Sequence, residues 1–243
     1  MTRSFWDAVN KVIEQSDVII EVLDARFIDD TRNLEVEEKV KAAGKKVVIA
    51  INKSDLISKK SINPGKGVYI SSTRDWGLGE LRRAIASALG SEKKEKTIIG
   101  VVGYPNVGKS SLINALTEKE SALTSPQSGF TRGMQLIKMK EGVYLLDTPG
   151  VIPYLEKDRK KHALTSTTDF SKIKNPELAA LELIEKFPNE IKRHYQVEGK
   201  DEDEILEAIA RRLGKLKKGG LLDTINTARK ILMDWQIGKI RLL

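Results

Sequence analysis

Three short segments of this chain carry residue types that suit nucleotide chemistry. Gly103–Ser110 fits the spacing GxxxxGKS, Asp147–Gly150 reads DTPG, and Asn52–Asp55 reads NKSD. The first segment lies between an apolar run and a helical pattern, where glycines, backbone amides and a helix N-terminus cradle phosphates. DTPG follows about 35–40 residues later, where the neighbouring strand should end. Together the three segments predict a nucleoside triphosphate site.

Each residue of the predicted phosphate loop has a distinct expected role. Lys109 should reach the β- and γ-phosphates, and the hydroxyl of Ser110 should bind magnesium. Asn106 is a candidate potassium ligand, because a potassium ion there would place positive charge between the phosphates. The remaining nucleotide-contacting residues predicted in this loop are Val107, Gly108 and Ser111.

The catalytic prediction rests on Lys109 and two residues further along the chain. The amide of Gly150 can sense the γ-phosphate, and the carboxylate of Asp147 can hold magnesium. Thr131, within SGFTR, is the candidate switch threonine, and its hydroxyl would complete the magnesium shell in the triphosphate state. Thr124 is the alternative. Val151 stands where Ras-like switches carry a water-orienting glutamine, so we predict slow intrinsic hydrolysis, stimulated by a partner and by potassium.

The NKSD segment predicts selectivity for guanine. A carboxylate at Asp55 can accept hydrogen bonds from the N1–H and the exocyclic amine of guanine, and adenine offers no such pair. Asn52 should buttress the site, and the stem of Lys53 should cover the base. A second base-contacting loop is predicted at Ser71, Ser72 and Thr73, from which a backbone amide would meet the guanine oxygen.

The order of these segments predicts the topology. In a Ras-like GTPase the phosphate loop comes first and the NKxD segment last, whereas here NKSD precedes the phosphate loop and DTPG. We therefore predict an α/β, circularly permuted Ras-like P-loop GTPase fold with an all-helical C-terminal domain. The predicted GTPase domain covers residues 1–174, and the helical domain covers residues 175–243.

Hydrophobic patterning predicts the elements that position these residues. Strands are predicted at 17–25, 46–51, 67–71, 97–102, 134–140 and 143–147. Helices are predicted at 4–15, 33–43, 78–89, 109–116, 176–187, 189–195, 201–213 and 221–237. No strand is expected beyond residue 175.

Composition narrows the protein class. The 243 residues carry a net charge of +8 and no cysteine, which excludes disulfides, thiol catalysis and cysteine–zinc sites. No apolar run approaches the roughly 20 residues of a membrane span, and no signal-peptide pattern is present. We expect a cytoplasmic protein without a membrane partner. The net positive charge modestly favours a nucleic acid as binding partner.

The motif order NKSD, SST, GYPNVGKSS, SGFT, DTPGV resembles the YlqF/YawG family of circularly permuted GTPases. VIIEVLDARF at Val18–Phe27 resembles that family's DAR segment, and Ala210–Ile240 is similar to the helical tail of its ribosome-assembly branch. The resemblance implies a GTPase that binds a large-ribosomal-subunit precursor and rRNA, with GTP hydrolysis driving maturation or release. Bacterial members carry a histidine in a longer N-terminal segment. That histidine has been considered catalytic in the family. This chain has no histidine near Met1, so a catalytic role for that segment is not carried over.

Basic residues of the tail are candidates for facing rRNA, although they are equally consistent with a solvated face. They are Arg211, Arg212, Lys215, Lys217, Lys218 and Arg229. Two other functions compete with ribosome assembly. A P-loop phosphotransferase for small molecules would not need the guanine-reading NKSD segment, whereas a GTP-gated binding module for tRNA or a protein partner would use all of these features.

Overall fold

The computed structural model describes residues 3–91, 94–117, 135–147 and 173–242. Its strands are β1 (Val18–Asp24), β2 (Lys46–Asn52), β3 (Val68–Tyr69), β4 (Thr97–Val102), β5 (Gln135–Lys140) and β6 (Val143–Asp147). The helices are α1 (Arg3–Gln15), α2 (Ile28–Thr31), α3 (Leu34–Ala42), α4 (Leu78–Leu89), α5 (Lys109–Thr117), α6 (Pro176–Lys186), α7 (Pro188–Tyr195), α8 (Glu202–Arg212) and α9 (Thr224–Gln236). The chain divides into two compact units, Met1–Lys157 and Asp158–Leu243. The boundary between residues 174 and 175 stays a prediction.

The first unit is built on a six-stranded sheet with the strand order β3-β2-β1-β4-β6-β5. All neighbouring strands are parallel except β5, which pairs antiparallel with β6. The predicted mixed α/β fold is therefore confirmed. The chain runs outward from β1 through β2 to β3 and then returns to place β4 on the other side of β1. Ligands of such sheets bind beyond the carboxyl ends of the strands where the order reverses, which here is between β1 and β4.

Both faces of the sheet are covered because its central strands are apolar on both sides. One core joins Val18, Ile20 and Val22 of β1 to residues of α4 and α5. The other places Ile19 against residues of α1 and α3. None of the helices in the described ranges is long and apolar enough to cross a membrane.

Two elements of the first unit differ from the predictions. The strand expected at 67–71 is only Val68–Tyr69, because the carbonyl of Ile70 accepts a 3.0 Å hydrogen bond from the amide of Ser54 instead of extending the ladder. The short helix α2 was not predicted. Helix α4 and strands β4 and β6 have the predicted bounds.

The second unit packs its helices around Trp235, which is fully buried. The Phe187 ring stacks on Trp235 with 5.0 Å between centroids. Nearby, the Tyr195 hydroxyl donates a 2.9 Å hydrogen bond to the buried Asp234 carboxylate. All named elements in the described part of this unit are helices, which agrees with the predicted helical domain. An isolated antiparallel bridge between Leu216 and Leu222, which is not a strand, was not predicted.

Candidate nucleotide site

The predicted phosphate loop leaves β4 at the switch point of the sheet and leads into α5 at Lys109. Gly103 has φ +147°, and a Cβ there would lie 2.5 Å from the carbonyl oxygen of Val22, so only glycine fits. Asn106 has φ +61°, a left-handed conformation that asparagine tolerates better than most residues. Such a loop before a helix N-terminus directs backbone amides toward an anion.

Lys109 is buried within this loop. Its Nζ donates hydrogen bonds to the carbonyl oxygens of Gly103 at 3.1 Å and Tyr104 at 2.8 Å. Burial lowers the pKa of Lys109 to about 8, and the Asp147 carboxylate opposes part of that shift. The ammonium group therefore lies inside the loop, where a phosphate could replace the two carbonyl partners.

Asp147 lies at the end of β6, and its register partner on β4 is Val101. The side chain is buried, only 2% exposed, and interacts electrostatically with Lys109. Ser110 lies in the first turn of α5, which follows β4. A carboxylate and a hydroxyl are the hard oxygen donors that magnesium prefers, so this pair fits the predicted ion.

The Asn52 side chain joins two loops that are far apart in sequence. Its Nδ2 donates a 2.9 Å hydrogen bond to the carbonyl oxygen of Val107, and its Oδ1 accepts a 3.1 Å bond from the amide of Ser72. A Cβ on Gly108 would lie 2.3 Å from Nδ2. Asn52 thus ties the end of β2 to both the phosphate loop and the predicted base loop, and Gly108 leaves the space for it.

Asp55 is held in a short 3₁₀ turn, Ser54–Leu56, which directly follows β2. The turn is anchored through Ser54, whose amide and hydroxyl both donate hydrogen bonds to the carbonyl oxygen of Ile70. The Asp55 side chain remains half-buried rather than enclosed. Its position is therefore set by the backbone, and its carboxylate interacts electrostatically with Lys53.

The predicted second base loop is held at both ends. The Ser71 amide donates to the carbonyl oxygen of Trp76 at 2.9 Å, and the Ser72 amide donates to Asn52. The hydroxyls of Ser71 and Thr73 lie 3.4 Å apart. Internal bonds thus use the amides of Ser71 and Ser72, so the Thr73 amide is the best placed of the three to meet a base.

Lys53 belongs to an ion cluster that the residue pattern alone did not predict. Its Nζ lies 2.9 Å from Oδ2 of Asp24, and the Arg26 guanidinium contacts both oxygens of the same carboxylate at 3.0 and 2.8 Å. Burial alone would raise the pKa of Asp24, but Arg26 and Lys53 together hold it well below its usual range. The charged Asp24 thus fixes the Lys53 ammonium, while the side chain stays 17% exposed. The only signal in the sequence was the Asp-Ala-Arg segment at the end of β1.

The structure therefore places most of the predicted residues at one edge of the sheet. Asp24 and Asn52 are direct register partners on β1 and β2, and the phosphate loop follows β4 beside them. Ser111 lies in the first turn of α5. Thr124, Thr131, Gly150 and Val151 lie outside the described residues.

Two GTPase family models match this chain, over residue ranges that overlap. The model of 50S ribosome-binding GTPases matches residues 98–218, and that of RsgA GTPases matches residues 28–154. The second match covers more than half of the chain. Both ranges contain the whole phosphate loop, Gly103–Ser110.

Curated relatives align with nearly the whole chain. An uncharacterized GTP-binding protein of Methanocaldococcus jannaschii is 38% identical over 243 residues, which cover 96% of this chain and 65% of the relative. Nucleolar GTP-binding protein 2 is 34% identical in Yarrowia lipolytica and 33% in Saccharomyces cerevisiae, with 98% of this chain covered in each case. The chain spans 50% and 52% of those two proteins.

Solved structures support the fold. GNP-bound YlqF from T. maritima has a TM-score of 0.67 and 21% identity, over 98% of this chain and 95% of that chain. A GDP-bound YlqF structure has the same TM-score, with 22% identity and 96% coverage of both chains. At this identity the likeness concerns the fold alone. With the family models, the motif order and the strand topology, it shows that the chain belongs to the YlqF/YawG family of circularly permuted GTPases.

Proposed function

We propose that this protein binds GTP with magnesium, hydrolyses it to GDP and phosphate, and acts in assembly of the large ribosomal subunit. The observation that carries the nucleotide assignment is the Asn52 bridge, which joins the phosphate loop to the base-reading loop. One ligand with both a polyphosphate and a purine would occupy the two connected loops. Large-subunit precursors and their rRNA are the proposed partners, and the names of the nucleolar and 50S-binding relatives support a role in ribosome assembly. The cytoplasmic location is proposed from the sequence alone.

The proposed roles follow the geometry of the described residues. Lys109 would exchange its two carbonyl partners for phosphate oxygens, and Ser110 and Asp147 would hold magnesium, which would supply positive charge to the phosphates. Asp55 accepts the two guanine donors, while the Lys53 stem covers the base from its anchor on Asp24. Thr131 and Gly150 lie outside the described residues and are proposed, from the sequence motifs alone, to sense the γ-phosphate. Asn106, in its left-handed conformation, is proposed to bind potassium.

Asp55→Asn tests the base assignment. The change removes an acceptor and adds a donor that faces the guanine N–H groups, so GDP affinity should fall by about 100-fold or more. Xanthine carries a carbonyl in place of the exocyclic amine, so the variant should gain affinity for xanthosine diphosphate. Titration with GDP, XDP and ADP measures both changes.

Asp75→Asn is the matched control, because it makes the same chemical change in the turn that follows the second base loop. It should leave GDP binding unchanged. Unaltered GDP affinity in Asp55→Asn, or equal losses in both variants, would contradict the base assignment.

The pKa of Lys109 predicts a pH dependence of nucleotide binding. Since that pKa is about 8 in the free protein, phosphate binding should raise it again by pairing the ammonium group. GDP binding should therefore take up a proton above pH 8, and affinity should fall by up to about tenfold per pH unit as the pH rises from 8 to 10. Calorimetry in buffers of different ionisation enthalpy measures the uptake.

Lys109→Arg provides the control for this pH effect, because an arginine side chain remains charged across the same range. Its residual GDP affinity should be nearly constant between pH 8 and 10. A wild-type affinity that is also constant over this range would contradict the proposed exchange of partners.

Comparing GTP hydrolysis rates in sodium and in potassium tests the proposed potassium ligand Asn106. Equal rates in the two salts would contradict the potassium proposal.

A further inference from the structure

The segment between α8 and α9 folds into a short two-stranded ribbon, which is defined here as residues 215–223. The Asp223 amide donates to the Lys215 carbonyl at 2.9 Å, and the Lys217 amide donates to the Leu221 carbonyl at 2.7 Å. Leu216 and Leu222 form the antiparallel bridge between these two bonds. The backbone of this basic segment is therefore fixed by ladder bonds and does not rely on its side chains.

Glycines make the turn at the ribbon tip. Gly219 and Gly220 have φ +91° and +81°, and the Gly220 amide closes the turn with a 3.1 Å bond to the Lys217 carbonyl. The turn holds Lys217 and Lys218 at the end of the ribbon. Every residue from 211 to 221 is exposed, and this stretch contains five basic residues and no acidic one.

Three of these five cations are less neutralised than the other two, because the Asp223 carboxylate at the end of the ribbon interacts electrostatically with Lys215 and Lys217 without forming a salt bridge to either. Arg211 pairs with Glu207 at 2.6 Å, and Arg212 donates to the side-chain oxygen of Gln196 at 2.5 Å. Lys215, Lys217 and Lys218 form no ion pair with any residue in the described ranges. Arg229 and Lys230 of α9 line the groove beside the ribbon together with Asp223, and Lys230 pairs with the Asp234 carboxylate at 2.5 Å.

Two large apolar side chains are exposed among these lysines. Leu216 is 57% and Leu221 is 70% exposed, so neither contributes much to the core of the unit. Because Leu216 bridges to Leu222, the adjacent Leu221 extends from the opposite face of the ribbon, on the side of Lys217. A solvated basic face needs no leucines, and a large exposed apolar side chain on each face of this basic ribbon indicates a contact surface. The occupant must therefore combine negative charge with apolar faces, which RNA does through its phosphates and its sugars and bases.

We propose that the ribbon 215–223 is an RNA-contacting element, in which Lys215, Lys217 and Lys218 bind phosphates while Leu216 and Leu221 pack on sugar or base faces. This proposal rests on the proposed function, because it assigns the rRNA partner to one surface. The two groups of side chains contribute different kinds of energy. The lysines provide binding that salt weakens, and the leucines provide binding that salt leaves nearly unchanged.

The test compares three double variants of the full chain, using a labelled RNA hairpin of about 16 base pairs titrated at several salt concentrations. Lys217→Ala with Lys218→Ala should weaken binding about tenfold and reduce the slope of log affinity against log salt by about 1.5. Leu216→Ala with Leu221→Ala should weaken binding roughly fivefold without changing the slope. Thermal unfolding should stay unchanged in both, since all four side chains are exposed.

The control is Lys200→Ala with Arg241→Ala, which removes the same charge at the opposite ends of α8 and α9. These helices have 11 and 13 residues, which places the control residues about 16–20 Å from the ribbon along the helix axes. The control variant should keep wild-type affinity and slope. If the control variant loses as much RNA affinity as the lysine variant, binding is general charge attraction. That result would overturn the assignment of RNA binding to the ribbon, but not the proposal that the protein binds RNA.

Two other results would overturn the proposal. If the unaltered chain fails to bind the hairpin and also fails to sediment with large ribosomal subunits, the RNA partner in the proposed function falls as well. If the ribbon variants bind RNA normally but lose subunit binding, the ribbon contacts a protein. Neither result affects the guanine assignment, which Asp55→Asn tests separately.

Discussion

Replacing Asn52 by alanine is expected to weaken GDP binding about a hundredfold. The change leaves the Val107 carbonyl and the Ser72 amide without their present partner. Each buried unpaired backbone group costs about 1–3 kcal/mol, and a loss of 1.4 kcal/mol corresponds to a factor of ten in affinity. Part of the cost should also appear as a lower free energy of unfolding. Titration with a fluorescent GDP analogue and urea unfolding measure the two effects.

Two further variants separate the bridge from a general loss of asparagine. Asn63→Ala removes an exposed asparagine that caps a 3₁₀ turn by accepting from the Gly65 amide, and GDP binding should not change. Gly108→Ala should damage the same bridge as Asn52→Ala, because its new methyl group would collide with Nδ2. The double variant Asn52→Ala, Gly108→Ala should therefore cost clearly less than the sum of the single changes. Additive losses would contradict the bridge.

Glu21→Gln is expected to stabilise the protein at alkaline pH. Glu21 lies in the middle of β1 with 1% of its surface exposed, and burial raises its pKa to about 8, with the Glu37 carboxylate adding to the rise. Its Oε1 accepts a 2.7 Å bond from the Asn33 amide, whereas its Oε2 is buried without a donor. The protonated form is therefore favoured in the folded state. Glutamine reproduces that neutral shape without an ionisable proton.

The sign of the pH effect follows from this raised pKa. Because the folded-state pKa lies above the unfolded value, the stabilising contribution of protonated Glu21 is complete below about pH 4.5. It is lost progressively as the pH rises toward 8. Glu21→Gln should match the wild type near pH 5 and exceed its free energy of unfolding by roughly 2–4 kcal/mol at pH 9. Denaturant unfolding at pH 5, 7 and 9 provides the measurement.

The control for the pH effect is Glu38→Gln, on the exposed side of α3. It removes the same charge without relieving a buried carboxyl group, so its stability should follow the wild-type pH profile. If Glu21→Gln shows that same profile, Glu21 is ionised in the folded protein at neutral pH and the prediction fails.

Local elements were largely predictable because the residues that set them are neighbours in sequence. Apolar runs marked the buried parallel strands, and Gly90 ends α4 where predicted. The differences had two causes, a contact between residues distant in sequence and an element too short to show a pattern. Strand β3 stops early because Ile70 bonds to Ser54, and the ribbon at 215–223 was missed because it is too short to show an alternating pattern.

In the candidate site, too, features set by adjacent residues were predictable and features set by contacts between distant residues were not. Residue types and spacing identified the phosphate loop, NKSD and the order that indicates a permuted chain, because those motifs depend on the chemistry of adjacent residues. They did not indicate that Lys53 would be held by Asp24, or that a strand of continuous apolar pattern would enclose the ionisable Glu21.

The sequence by itself determined the family, the chemistry of each motif and the bounds of most helices and strands. Only the tertiary structure decided which motifs meet. Asn52 reaches Val107 across 55 residues and Ser72 across 20, and both contacts require β1, β2 and β4 to lie side by side. Strand order arises from the packing of the whole sheet, so a permuted chain can rebuild one site from segments in a new order.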